Sequence, residues 1–173
     1  TRIEDRRMMS PVELMDIAAW SRETAAPAAA NAATRLESGK VLLMPRLGFT
    51  LTEREQGLVS PACADGKSKN ISFDPVTRNL RGCALAGEDR ITLAGMMERF
   101  FHQVRELVEG LLPTYGRTLR DGLASFRPLE VKGRRSSVLK DDARLHVDAF
   151  VSRPNQGLRI LRVFSNVNLD GQP

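Results

Sequence analysis

The stretch ARLHVDAF, residues 143–150, decides how this chain is read. Strict alternation places Arg144, His146 and Asp148 on one face of a strand and Leu145, Val147 and Ala149 on the other. An imidazole nitrogen and a carboxylate oxygen two residues apart on one strand face can chelate one divalent ion. That is the opening of a 2-His-1-carboxylate iron site, which leaves coordination positions free for other ligands. The motif alone reads more simply as a structural His–Asp hydrogen bond, because the chain has enough aspartates for the spacing to arise by chance.

Working outward, the surroundings of this stretch are those of a soluble globular chain. The 173 residues suffice for one domain with its own core, and 42% hydrophobic against 27% charged residues is ordinary. No apolar run reaches the length of a membrane span, and the N-terminus TRIEDRRMMSPVEL lacks the apolar centre of a secretory signal, so the expected location is the cytoplasm. Cys63 and Cys83 have neither CxxC spacing nor a neighbouring histidine and are read as reduced thiols. A net charge of +5 favours anionic partners. Only 5% of residues are aromatic, and they are not interleaved with basic ones, which argues against stacking on single-stranded nucleic acid.

Ser10, Pro11 and Glu13, followed by Leu14, Ile17 and Ala18, predict a helix over 10–24. The TAAPAAANAAT run after it is either a flexible connection or a second helix. GKVLLMPRLGFTL, 39–51, predicts a short strand leading into a loop, and Thr52 a single capped turn. Turns and short strands are expected over 60–90. The clearest helix is 92–113, where Met97, Phe101, Val104, Val108 and Leu111 recur at helical spacing. Pro113 closes it, and His102 falls on its polar face with Glu98, Arg105 and Glu109. ASFRPLEV, ARLHVDAF and LRILRVFSNVNL predict successive late strands. Helices early and strands late imply an α+β fold.

The second part of the chain narrows the reading. KNISFDPVTRNLRGC, the entry LESGKVLLMPRLGF and above all KDDARLHVDAF with RILRVFSNVN resemble the bacterial Kdo hydroxylases, from about residue 36 onward. Kdo is 3-deoxy-D-manno-oct-2-ulosonic acid, the acidic sugar of the lipopolysaccharide inner core. The resemblance implies N-terminal helices packed on a double-stranded β-helix, a cupin-like jelly-roll, incomplete at the C-terminus. Residues 1–35 would be an N-terminal helical, Ala-rich segment, and 36–173 the N-terminal part of a single 2-oxoglutarate oxygenase domain. It also implies a dioxygenase using Fe(2+), 2-oxoglutarate and oxygen to hydroxylate carbon 3 of Kdo.

Carried over by position, His146 and Asp148 become iron ligands. Asn166 and Arg144 become cosubstrate-binding candidates, and Arg134, Arg159 and Arg162 become substrate-binding candidates. Arginine suits such work because its planar fork meets carboxylate or phosphate in two places. The implied partner is a Kdo–lipid A type glycolipid, with peripheral contact at the inner face of the inner membrane and no nucleic acid. The family's second ligand histidine and its carboxylate-clamping arginine are expected after Pro173, so this chain is expected to be the N-terminal part of a longer protein. Two other readings stay open: an oxygenase of the same fold acting on another acidic substrate, and a non-catalytic basic module binding anionic lipid or nucleic acid.

Overall fold

A computed structural model describes residues 10–68, 70–116, 118–128 and 156–170. It is a mixed helix-and-strand fold built around one long helix. The elements in chain order are β1 (Val12–Leu14), α1 (Arg22–Ala25), α2 (Ala29–Glu37), β2 (Val41–Leu43) and α3 (Glu53–Gln56). They are followed by β3 (Ile71–Asp74), β4 (Asn79–Arg81), α4 (Gly87–Leu111) and β5 (Ala124–Phe126). Short 3-10 turns lie at Ala26–Ala28, Pro61–Cys63 and Pro113–Tyr115. No helix among the described residues is long and apolar enough to cross a membrane.

The expected helix over 10–24 is not formed. Residues 12–17 alternate between outward and inward positions, and Met15 and Ile17 are the two that become fully buried. Leu14, which the helical reading places inward, is 71% exposed. The chain is extended there because β1 pairs in parallel with β2, in the register Val12↔Val41 and Leu14↔Leu43. The Val41 amide donates to the Pro11 carbonyl at 2.8 Å, and the Met15 amide to that of Leu43 at 2.8 Å. The Ser10 hydroxyl is engaged with the Val12 backbone rather than capping a helix. The cap that does act is Ser21, whose side chain accepts from the Thr24 amide at 3.2 Å. From there the alanine-rich stretch is helical: Pro27 sits in the first positions of a 3-10 turn, where its missing N–H costs nothing, and α2 follows directly.

The second sheet has the order β4-β3-β5, antiparallel throughout, with Phe73 opposite both Leu80 and Ala124. The β3–β4 turn is held by the Asp74 carboxylate, which accepts from the Val76 and Thr77 amides at 2.9 and 3.3 Å. α4 starts earlier than its apolar periodicity, because the turn before Leu93 is largely exposed, its one large apolar residue Ile91 included. Glu88 and Asp89 in that turn complement the positive end of the helix dipole. At the other end, Pro113 cannot continue the ladder.

Two hydrophobic clusters lie along α4. The first joins Leu93, Met96 and Met97 to Ile71, Phe73, Leu80 and Phe126 of the antiparallel sheet. The second joins Leu107, Val108, Leu111 and Leu112 to Met15, Ile17, Ala25 and Ala32. Each fully buried aliphatic or aromatic side chain contributes about 1.5–3 kcal/mol. Trp20 touches both clusters, donates its indole N–H to the Gly48 carbonyl at 2.8 Å, and meets Phe100 edge-on.

The late strand expected from LRILRVFSNVNL is also absent. Residues 158–168 belong to no strand, although exposed and half-buried side chains alternate over 162–167. Apolar patterning selects the face of an extended chain; a strand additionally needs a neighbour to complete its hydrogen bonds, and no described strand lies alongside this one.

Candidate active site

Of the residues to which the sequence assigns a site, His146, Asp148, Arg144 and Arg134 lie outside the described residues. Among the described residues, no group of three or more His, Cys, Asp or Glu side chains is placed to hold a metal ion. The chain's other histidine, His102, is exposed on α4 with its ring against Phe101, as its place on the polar face implies. An imidazole nitrogen with a carboxylate oxygen, the donors that His146 and Asp148 carry, is a set suited to ferrous iron.

What the structure does describe is the segment that follows, 156–170. It opens at Gln156 and Gly157, both at positive φ (50° and 80°), a turn conformation that glycine adopts without strain. The chain then continues without regular secondary structure to residue 168. Val163 packs against the second cluster and Val167 against the first, so the segment spans the junction between them. Val163, Ser165 and Val167 are half-buried, whereas Ile160, Arg162, Phe164 and Asn166 are exposed. Arg162 and Asn166 therefore share the outward row, with Phe164 between them at 82% exposure.

At the segment's end the asparagines organise the backbone. The Asn166 carboxamide oxygen accepts from the Asn168 amide at 3.0 Å, and that of Asn168 accepts from the Asp170 amide at 3.0 Å. These local bonds shape the turn at 166–170. Arg159, the remaining candidate, is bound to a protein carboxylate: its guanidinium pairs with Glu37 at the end of α2. Glu37 in turn accepts a hydrogen bond from the Tyr115 hydroxyl at 2.5 Å. Neither Glu37 nor Tyr115 stands out in the sequence, since nothing local marks two polar residues that meet a partner from the far end of the chain.

The most strongly held polar group of the core also escapes a sequence reading. Glu55 is buried at 6% exposure, closes a capping box with Thr52, and receives Arg99 at 2.5 Å. Arg99 also donates to the Thr50 carbonyl at 2.9 Å and lies over the Phe49 ring, 4.4 Å from its centroid. These contacts run from Arg99 on α4 to Phe49, Thr50 and Glu55, so the cluster braces the 49–56 loop against α4.

The chain matches the family of 3-deoxy-D-manno-oct-2-ulosonic acid (Kdo) hydroxylases over residues 19–173. No curated protein matches it. Among solved structures it is similar to the Kdo hydroxylase KdoO, a non-heme Fe(II) alphaketoglutarate-dependent dioxygenase, in complex with cobalt(II). That similarity has a TM-score of 0.69 and 35% identity, and covers 82% of this chain and 47% of KdoO. The KdoO complex with alphaketoglutarate and Fe(III) gives 0.68 and 34% over the same shares, and the apo structure gives 0.69 and 35%. The chain thus spans about half the length of these solved relatives. With a family match over most of its length and a shared fold at this level of identity, the chain belongs to the Kdo hydroxylase family.

Proposed function

We propose that this chain is the N-terminal part of an Fe(II)/2-oxoglutarate/O2-dependent dioxygenase that hydroxylates carbon 3 of Kdo in lipopolysaccharide, with Kdo–lipid A as the substrate. The observation that carries the reading is the joint family and structural match to the Kdo hydroxylases. The fold it calls for is a double-stranded β-helix, cupin-like, with residues 1–35 as a helical segment and 36–173 as part of one oxygenase domain.

In this reading the His146 imidazole and the Asp148 carboxylate donate to the ferrous ion, with a further ligand completing the site. When bound, the iron and 2-oxoglutarate supply the oxidising chemistry; the protein's task is to orient the reactants and exclude water. Arg144, two residues before His146 in the sequence, is the candidate to meet the carboxylate of the cosubstrate. Asn166, whose carboxamide oxygen accepts from the Asn168 amide, is the second candidate for contact with the cosubstrate. Arg134 and Arg162 bring charge to a substrate that carries a carboxylate and lipid-linked phosphates. Such a glycolipid places the enzyme on the cytoplasmic side, in peripheral contact with the inner face of the inner membrane.

The test is succinate formation from 2-oxoglutarate by the full-length protein with Kdo–lipid A, set against a panel of other acids and peptides. Turnover confined to Kdo–lipid A supports the reading. Turnover with a different acid would transfer the same chemistry to another substrate, and no turnover with any would overturn it.

A further inference from the structure

β1 and β2 put four aliphatic side chains on one outward row. Their parallel register sets Val12 opposite Val41 and Leu14 opposite Leu43. Strand alternation sends all four to the same side. In that order they are 38%, 58%, 71% and 47% exposed. The opposite face is closed: Met15 is buried, Leu42 packs against the second cluster, and Glu13 pairs with Arg35 of α2.

Single exposed aliphatic residues are ordinary on a protein surface, but four adjacent ones across a strand pair form a patch. Parallel strands are normally covered on both faces and carry apolar residues on both. Val12, Leu14, Val41 and Leu43 outward, with Met15 and Leu42 inward, follow that pattern.

Three occupants suit an aliphatic face. A lipid surface would be drawn by cations, but the basic residues beside the two strands are engaged within the chain. Lys40 donates to the Ser10 carbonyl at 2.8 Å, Arg35 pairs with Glu13, and Arg46 pairs with Asp16. A stable contact with a second copy uses about 20–30 residues a side, against four on this row. A tethered stretch of the same polypeptide needs far less, because the tether supplies a high effective concentration. The solved relatives have such a stretch, since this chain covers 47% of KdoO.

We propose that the outer face of β1 and β2 is where the remainder of the oxygenase domain docks, laying an apolar face of its own across Val12, Leu14, Val41 and Leu43. This rests on the reading of the chain as the N-terminal part of a longer enzyme. It makes the parallel pair an inner layer of the whole domain.

The experiment uses the full-length protein grown with photo-leucine, with crosslinks from Leu14 and Leu43 mapped by mass spectrometry. Thiol labelling of full-length Leu14→Cys, read on the peptide that holds the new thiol, compares the native protein with the same protein in urea. Crosslinks are expected within one molecule, to a peptide that follows residue 173. Labelling should be about tenfold or more slower in the native state than in urea. Leu14→Glu should lower Tm by about 5 °C or more without any lipid present, since its carboxylate would be buried unpaired.

Crosslinks between two copies, or labelling that quickens on dilution, would assign the face to a second copy and overturn the proposal. Protection that appears only with vesicles of phosphatidylethanolamine and phosphatidylglycerol would assign it to a membrane and overturn it too. So would crosslinks confined to residues 1–173, or native labelling within about twofold of the rate in urea. None of these readouts depends on turnover. An inactive full-length protein with a protected thiol in Leu14→Cys sinks the oxygenase reading alone, and an active one whose thiol labels freely sinks the docking face alone.

Discussion

Arg99 and Glu55 are joined by a 2.5 Å contact between guanidinium and carboxylate, at a site where the carboxylate is almost fully buried and the arginine about one-third exposed. Burial by itself pushes the Glu55 carboxyl up. The Thr52 amide and then Arg99 outweigh it, and the net shift is downward. A carboxyl with a lowered folded pKa contributes stability that is fully present above the ordinary glutamate range and is lost as pH falls through the folded value. Glu55→Ala is expected to destabilise by about 2 kcal/mol at neutral pH, through loss of the cap and the stranding of Arg99. Urea unfolding at pH 7 and at pH 3 checks this: the difference between parent and variant should shrink at the acid end.

Two glycines of α4 should respond in opposite directions. A Cβ on Gly110 would stand 2.5 Å from the Arg22 carbonyl oxygen, 2.8 Å from the Arg22 Cα and 3.0 Å from the Ala25 Cβ. Backbone atoms cannot swing aside, so α1 would have to lift off α4. Gly110→Ala is therefore expected to cost about 1–3 kcal/mol despite alanine's better helix propensity. Gly95 has nothing within 4 Å of the same position, and Gly95→Ala should stabilise by about 0.5–1 kcal/mol. Thermal unfolding of the two variants measures both signs.

The thiols should differ in reactivity. Cys63 is buried, donates to the Ser60 carbonyl at 2.9 Å, and has its pKa raised chiefly by burial. Cys83 is half-buried on the opposite strand of an isolated bridge. In native protein at pH 8, a disulfide reagent should label Cys83 about tenfold or more faster than Cys63. Equal rates would mean that the Pro61–Cys63 turn opens readily.

What could be read from the sequence was whatever local rules determine. The long helix showed in its apolar spacing, the α3 turn in its Thr52 cap, and the β2 strand in its glycine- and proline-bounded apolar run. The 10–24 segment was misread because Ser-Pro-x-Glu is a good helix start in isolation. Pairing with β2, a strand that follows it by some thirty residues, overrides that preference. Residues 162–167 alternate as a strand does, but alternation says nothing about a neighbour. On the site, the HxD pattern and the RILRVFSNVN run after it pointed to the family, which the match over 19–173 bears out. The Glu37–Arg159–Tyr115 contact was not legible, because it joins three elements by side chains that any exposed surface carries.

The central claim is that His146 and Asp148 bind a ferrous ion, and the most direct measurement is anaerobic titration of the protein with Fe(II) or Co(II) in the presence of 2-oxoglutarate. The account predicts stoichiometric binding by the parent protein, with affinity reduced about tenfold or more in both His146→Ala and Asp148→Asn, since each variant removes a ligand. Binding by the two variants that equals the parent's would contradict it.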